Sequence, residues 1–209
     1  MTEQKKLLIF DFNGTLEGDK GLYEGVPELL KNLHESGQYH MVILSMSPKR
    51  SIEETLDEEN LKIGNSVDLK SYFDAIYGVD EIIQANKGKA DKTNPKVLED
   101  IVENLALQGD VVDPKESVIV GDSFAEHLMA KRSGIHFLYA GWHDNFHDKP
   151  VKSGLMEIKP SPNSGHVGLT KQDISEAKSA HYVSEAQGII EKTYKKPGSL
   201  SLLDLDLYR

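Results

Sequence analysis

At 209 residues, with 38% hydrophobic and 28% charged side chains, the chain has the make-up of one soluble globular domain, with or without a short appendage. A net charge of −10 argues against binding nucleic-acid backbones, and the longest apolar runs are too short to span a bilayer. No cysteine is present, so disulfides and thiolate metal sites are excluded.

In chain order, short aliphatic and β-branched runs alternate with amphipathic stretches, the pattern of a parallel α/β fold. Lys6 to Asp11 predicts a first strand. It starts so soon after Met1 that no room is left for a signal peptide. The cytoplasm is the default compartment, and an exported effector without a classical signal would read the same way. Val26 to Ser36 predicts a helix with Val26, Leu29, Leu30 and Leu33 on one face, closed by Gly37. Met41 to Ser45 predicts a second strand, Ile52 to Leu61 a helix, and Phe73 to Tyr77 a third strand. Pro95 to Leu107 sets Val97, Leu98, Ile101, Val102 and Leu105 at helical spacing. Ser117 to Asp122 and His136 to Ala140 predict two further strands, around a helix from Glu126 to Ser133 ended by Gly134. His181 to Ser184 predicts a short last strand, with Ser184 capping a helix from Glu185 to Tyr194. Residues 144–171 are broken by Pro150, Gly154, Pro160, Pro162, Gly165 and Gly168 and read as a long surface loop. The expectation is one domain over 1–196, with 197–209 a linker and short C-terminal extension.

Chemistry concentrates near the strand ends. Asp11-Phe12-Asn13-Gly14-Thr15-Leu16 puts a carboxylate at the end of a buried strand, where open α/β sheets bind ligands. The competing reading is a simple turn cap. Ser45 closes Val42-Ile43-Leu44-Ser45-Met46-Ser47-Pro48, although a serine there is also an ordinary turn residue. Lys87, Lys89 and Lys92 precede the helix at Pro95, and lysine-rich loops are normally solvated faces. Val118-Ile119-Val120-Gly121-Asp122-Ser123-Phe124-Ala125-Glu126 places two acids one helical turn apart, against the plain reading of a capping Asp and an exposed Glu.

These segments, in this order and spanning residues 6 to 141, resemble the motifs of the haloacid dehalogenase (HAD) superfamily of phosphohydrolases. The first is similar to Asp-x-Asp-Gly-Thr-Leu/Val. The lysine segment is similar to Lys-Pro-x-Pro, with Thr93 replacing the first proline, and that register favours Lys92 over Lys87 and Lys89. The last is similar to Gly-Asp-Ser-x-x-Asp, with Glu126 in the final place. The resemblance implies a three-layer, doubly wound, Rossmann-like and mainly parallel sheet, here a core that the interval lengths leave without a large cap domain. It also implies a Mg2+-dependent phosphomonoester hydrolase in which Asp11 becomes an aspartyl-phosphate. Lys92 would neutralise Asp11 and the transferring group. Ser45, Met46, Gly14 and Lys92 would hold the phosphate. Asp11, the backbone carbonyl of Asn13, Asp122 and Glu126 would hold Mg2+, Glu126 through a bound water.

One letter departs from the pattern. The family's second acid, which donates and later accepts the proton, is Asn13 here, and an amide has no proton to exchange near neutral pH. General acid–base help is worth about 10²–10⁴-fold. Either Asn13 is an introduced change that traps substrate, or it is natural in an enzyme whose leaving group barely needs protonation. A phenolate, with a pKa of about 10, is such a leaving group, so phosphotyrosine-like esters would suffer least. Leu16 to Val26 is too short for a cap, the next helix following at once, and Ser47 to Asp91 holds about the one helix and strand that the core needs. The cleft would then admit bulky substrates such as phosphoproteins, unless oligomerisation or the 144–171 loop acts as a lid. A small-metabolite phosphatase acting on sugar phosphates or nucleotides, and an impaired phosphate-binding module, remain the alternatives. Trp142 and Phe146 border the same cleft, there either to grip an aromatic ring or to pack the loop on the core. His143 and His147 lack the helical setting of a zinc pair. Oligomeric state is left open.

Overall fold

The computed structural model describes residues 4–64, 68–142, 178–180 and 183–194. Its first strand, β1 (Lys6–Phe10), is apolar from Leu7 to Phe10, and all four of these side chains are fully buried. Such a continuous apolar run suits a strand covered on both faces. A hairpin of two-residue strands, β2 (Glu17–Gly18) and β3 (Gly21–Leu22), comes before helix α1 (Val26–Glu35). Strand β4 (Tyr39–Leu44) leads to α2 (Lys49–Ile63), a 3₁₀ turn at Leu69–Tyr72, and β5 (Ala75–Tyr77). Helices α3 (Val79–Ala85) and α4 (Pro95–Leu107) follow, then a 3₁₀ turn at Pro114–Glu116 and β6 (Val118–Gly121). Helix α5 (Phe124–Ser133), β7 (His136–Ala140), β8 (Lys178–Ala180) and α6 (Val183–Tyr194) complete the described chain.

The main sheet runs in the order β5-β4-β1-β6-β7-β8, and every pairing in it is parallel. Alternation along β1 sends Leu8 and Phe10 into a core shared with α1, α2 and α6. Leu7 and Ile9 enter a second core shared with α3, α4 and α5. This is the expected three-layer, Rossmann-like α/β architecture. The chain winds from β1 outward through β4 to β5, then restarts at β6 on the other side of β1. The β1–β6 boundary is therefore a topological switch point, where a crevice opens at the carboxyl ends of the strands.

Four expectations are corrected. The last strand lies at Lys178–Ala180 and not at 181–184, and α6 begins at Val183, so Ser184 lies within the helix. Val183, Ala186 and Ile190 are all buried, a helical spacing that claims Val183 for α6. The interval after Leu16 does not run straight into a helix but accommodates the β2–β3 hairpin. The interval before Asp91 contains the additional helix α3. The 144–171 loop and the 197–209 extension lie outside the described residues.

Candidate active site

Sheet geometry places the central carboxylate. The Asp11 N–H donates to Val120 O at 2.9 Å, carrying the β1–β6 ladder one residue beyond the strand. The chain then turns sharply, with Leu16 N and Glu17 N both donating to Phe12 O, at 2.8 and 2.9 Å. Phe12 and Leu16 anchor this turn in the core. Gly14 sits at φ 84, and a Cβ there would stand 2.3 Å from Asp122 Oδ2. Both its backbone and its lack of a side chain are needed where two acid-bearing loops meet. Its N–H is taken by Glu17 O at 2.7 Å. The Trp142 indole N–H donates to Thr15 O at 2.8 Å from a fully buried position, so Trp142 packs this turn onto the core. Phe146, His143 and His147 lie outside the described residues.

Asp11, 4% exposed, accepts a hydrogen bond from Lys92 Nζ at 2.9 Å. Lys92 also pairs with Glu126. Lys87 and Lys89 are exposed, so the lysine that reaches Asp11 is the one in register with Pro95. The Thr15 hydroxyl makes long contacts to Asp11 Oδ2 and Asp122 Oδ1, at 3.4 and 3.5 Å. Asp11, Asp122 and Glu126 offer carboxylate oxygens that all lie within 4.8 Å of one another. The cap of α5 is Ser123 and not Asp122. Ser123 accepts from Ala125 N, while Glu126 Oε2 accepts from Ser123 N at 3.0 Å. Glu126 is thus buried as a capping-box residue whose other oxygen faces Lys92. A Cβ on Gly121 would lie 2.3 Å from Glu126 Cγ, so this inward fold requires glycine there.

Burial, opposed by Lys92 and aided by the nearby Glu126 and Asp122, pushes the Asp11 carboxyl up to about 8. Burial likewise raises Asp122 to about 6, with Glu126 adding to the effect. Burial disfavours the charge on Lys92, but Asp11 and Glu126 outweigh it and hold its ammonium well above the usual lysine range. Three crowded acids against one lysine leave an excess of negative potential. An oxygen-only donor set of this kind fits a hard divalent cation such as Mg2+.

The second bank of the crevice is formed by β4. Ser45 N donates to Tyr77 O at 2.9 Å, fixing a buried hydroxyl at the strand end. The hydroxyls of Ser45 and Ser47 both donate to Asn13 Oδ1, at 3.2 and 2.6 Å. Asn13 Nδ2 donates to Glu17 Oε2 at 2.6 Å, and Glu17 Oε1 accepts from Thr55 at 2.9 Å. Met46 stands exposed beside them. Asn13 is therefore oriented at both ends of its amide. Ser47 and Glu17 were not singled out from sequence. Ser47 stands in the turn between β4 and α2, and nothing in the spacing marks Glu17, which the hairpin brings back to Asn13.

The description "haloacid dehalogenase-like hydrolase" matches residues 6–134, more than half of the chain. The chain belongs to this family. Among solved structures, it is similar to a haloacid dehalogenase-like family protein from Streptococcus pneumoniae (14% identity, 88% of this chain and 98% of that one, TM-score 0.54). It is also similar to a predicted phosphatase from Clostridium acetobutylicum (15% identity, 91% and 100% covered, TM-score 0.58). A third is the D,D-heptose 1,7-bisphosphate phosphatase of B. bronchiseptica, solved with magnesium and phosphate (16% identity, 90% and 97% covered, TM-score 0.53). At these identities the likeness concerns the fold. A comparison with curated proteins finds no significant match.

Proposed function

We propose that this HAD-family hydrolase is a Mg2+-dependent phosphomonoesterase that works through an aspartyl-phosphate on Asp11. The observation that carries this reading is the buried Asp11 carboxylate at the switch point, 2.9 Å from Lys92 and clustered with Asp122 and Glu126. One Asp11 oxygen attacks phosphorus, forming an O–P bond as the ester P–O bond breaks; water then hydrolyses the acyl phosphate and regenerates Asp11. Lys92 offsets negative charge on Asp11 and on the phosphoryl oxygens. Ser45, Ser47, Met46 and Gly14 are the proposed phosphate-binding residues, the Ser45 hydroxyl turning from Asn13 to the phosphate. Asp11, Asp122, Glu126 and the carbonyl of Asn13 would hold Mg2+, which supplies positive charge to the phosphoryl oxygens when bound.

Among the described residues, the intervals between the motifs contain a two-stranded hairpin, α2, β5 and α3, and no inserted domain. That supports an open, capless cleft and a macromolecular substrate such as a phosphoprotein. Asn13 supports a preference for aryl esters of the phosphotyrosine kind, because their leaving oxygen needs protonation least. Phosphate release should be measured on phosphotyrosine and phosphoserine peptides and on sugar-phosphate and nucleotide panels, with Asp11→Ala as control. Turnover confined to metabolites would overturn the substrate class, and activity surviving Asp11→Ala would overturn the mechanism. A second reading, a phosphate-binding module, is favoured by the double anchoring of the Asn13 amide. It predicts phosphate binding without release from any panel.

A further inference from the structure

Lys92 is useful only if its backbone is held where Nζ reaches Asp11, and the sequence offers no proline at the next residue to restrict it. The loop before it turns through left-handed conformations at Lys87 (φ 53) and Gly88 (φ 101). Two side chains brace the remainder. Asn86 Nδ2 donates to Asp91 O at 2.6 Å, and Asp91 Oδ1 accepts from both Thr93 N and Thr93 Oγ1, at 2.9 and 2.7 Å. The last two bonds close a small ring around Lys92. A proline at 93 would have no N–H or hydroxyl for either bond.

Thr93 is gripped from outside the loop as well. Arg132 Nη1 donates to Thr93 Oγ1 and, at 3.4 Å, to Thr93 O. Arg132 lies in the last turn of α5, the helix whose first turn carries Glu126. Six residues separate the two, roughly 9 Å along the helix axis. One helix therefore engages Lys92 twice, with Glu126 on its ammonium and Arg132 on the backbone beside it.

We propose that Arg132 is a positioning residue for Lys92, acting through Thr93 and doing here what a rigid proline would otherwise do. Arg132 is exposed, far from any role in the core, so its replacement tests the tether and not the fold. A lysine at 132 would supply a compact ammonium on a shorter side chain in place of the planar guanidinium whose Nη1 donates to both oxygens of Thr93.

The test uses the full chain and reads Lys92 directly. Reductive methylation followed by mass spectrometry should show Lys92 labelled severalfold faster in Arg132→Ala and in the near-isosteric Thr93→Val. Thr93→Ser, which keeps the hydroxyl, should stay close to the parent, as should Lys131→Ala, a control on the same helix. Because the catalytic consequence rests on the phosphatase reading, phosphate release is measured in parallel. Arg132→Ala should lower kcat by about tenfold or more with a smaller change in KM, and Arg132→Lys should restore only part of it. Unchanged Lys92 labelling in Arg132→Ala would overturn the tether whatever the activity. Faster labelling in a protein that hydrolyses no phosphate ester would uphold the tether and overturn the function.

Discussion

Under the proposed mechanism Asn13 stands where the proton donor would act, and its neighbours define what a carboxyl there would meet. In Asn13→Asp, an oxygen replaces the nitrogen that stands 2.6 Å from Glu17 Oε2. Two carboxylates this close do not both ionise, so one proton is retained between them, the state a general acid requires. Asn13→Asp should therefore raise turnover of alkyl phosphates by about 10²–10⁴-fold and of phenyl phosphates by less. Phosphate release on matched alkyl and aryl esters measures this; no gain on either class, with Mg2+ binding intact, favours the binding module. At Gly14 the constraint is steric. Gly14→Ala forces a side chain onto φ 84 and into Asp122 Oδ2, so a loss of about 1–3 kcal/mol is expected in urea melts, with activity lost.

Elements differ in how plainly they could be read from sequence. Strands buried on both faces write continuous apolar runs, so β1, β4, β6 and β7 were legible to within a residue or two. The β2–β3 hairpin was not, because two-residue strands around Asp19 and Lys20 are too short to show periodicity. Helix α3 follows β5 after Gly78 alone and has only seven residues, so it too left no pattern. Asp11 and Asp122 were readable because they follow apolar runs, and Glu126 because it stands one helical turn after Asp122. Glu17, Ser47 and Arg132 were not, because folding creates their contacts between segments that are separate in sequence. Trp142 shows how such contacts bind elements together: it follows β7 yet holds the turn after β1 through Thr15 O. Trp142→Phe retains an aromatic ring but leaves that buried carbonyl unpaired. The expected cost is about 1–3 kcal/mol, read as a lower midpoint in circular-dichroism urea melts. An unchanged midpoint would mean the bond carries no weight.

At the scale of the whole molecule, the fold gathers buried acids at one switch point of a chain that already carries a net charge of −10. The sign of the resulting pH dependence follows from the carboxyl shifts. Asp11 is raised from 3.8 to about 8 and Asp122 from 3.8 to about 6. Between those limits the folded protein keeps protons that the unfolded chain has released. Their stabilisation is complete below pH 3.8 and is lost as pH rises through 6 and then 8. Lys92 is raised as well, so its contribution is complete below 10.5 and stays level across this window. Without divalent metal, the melting temperature should fall by several degrees from pH 5 to pH 8. Mg2+ held as proposed would compete with protons for the same oxygens, so it should stabilise more at pH 8 than at pH 5. Thermal melts with EDTA or Mg2+ at the two pH values, repeated on Asp122→Asn, measure both effects. A Mg2+ shift that is equal at pH 5 and pH 8, or one that survives Asp122→Asn undiminished, would place the ion somewhere other than these carboxylates.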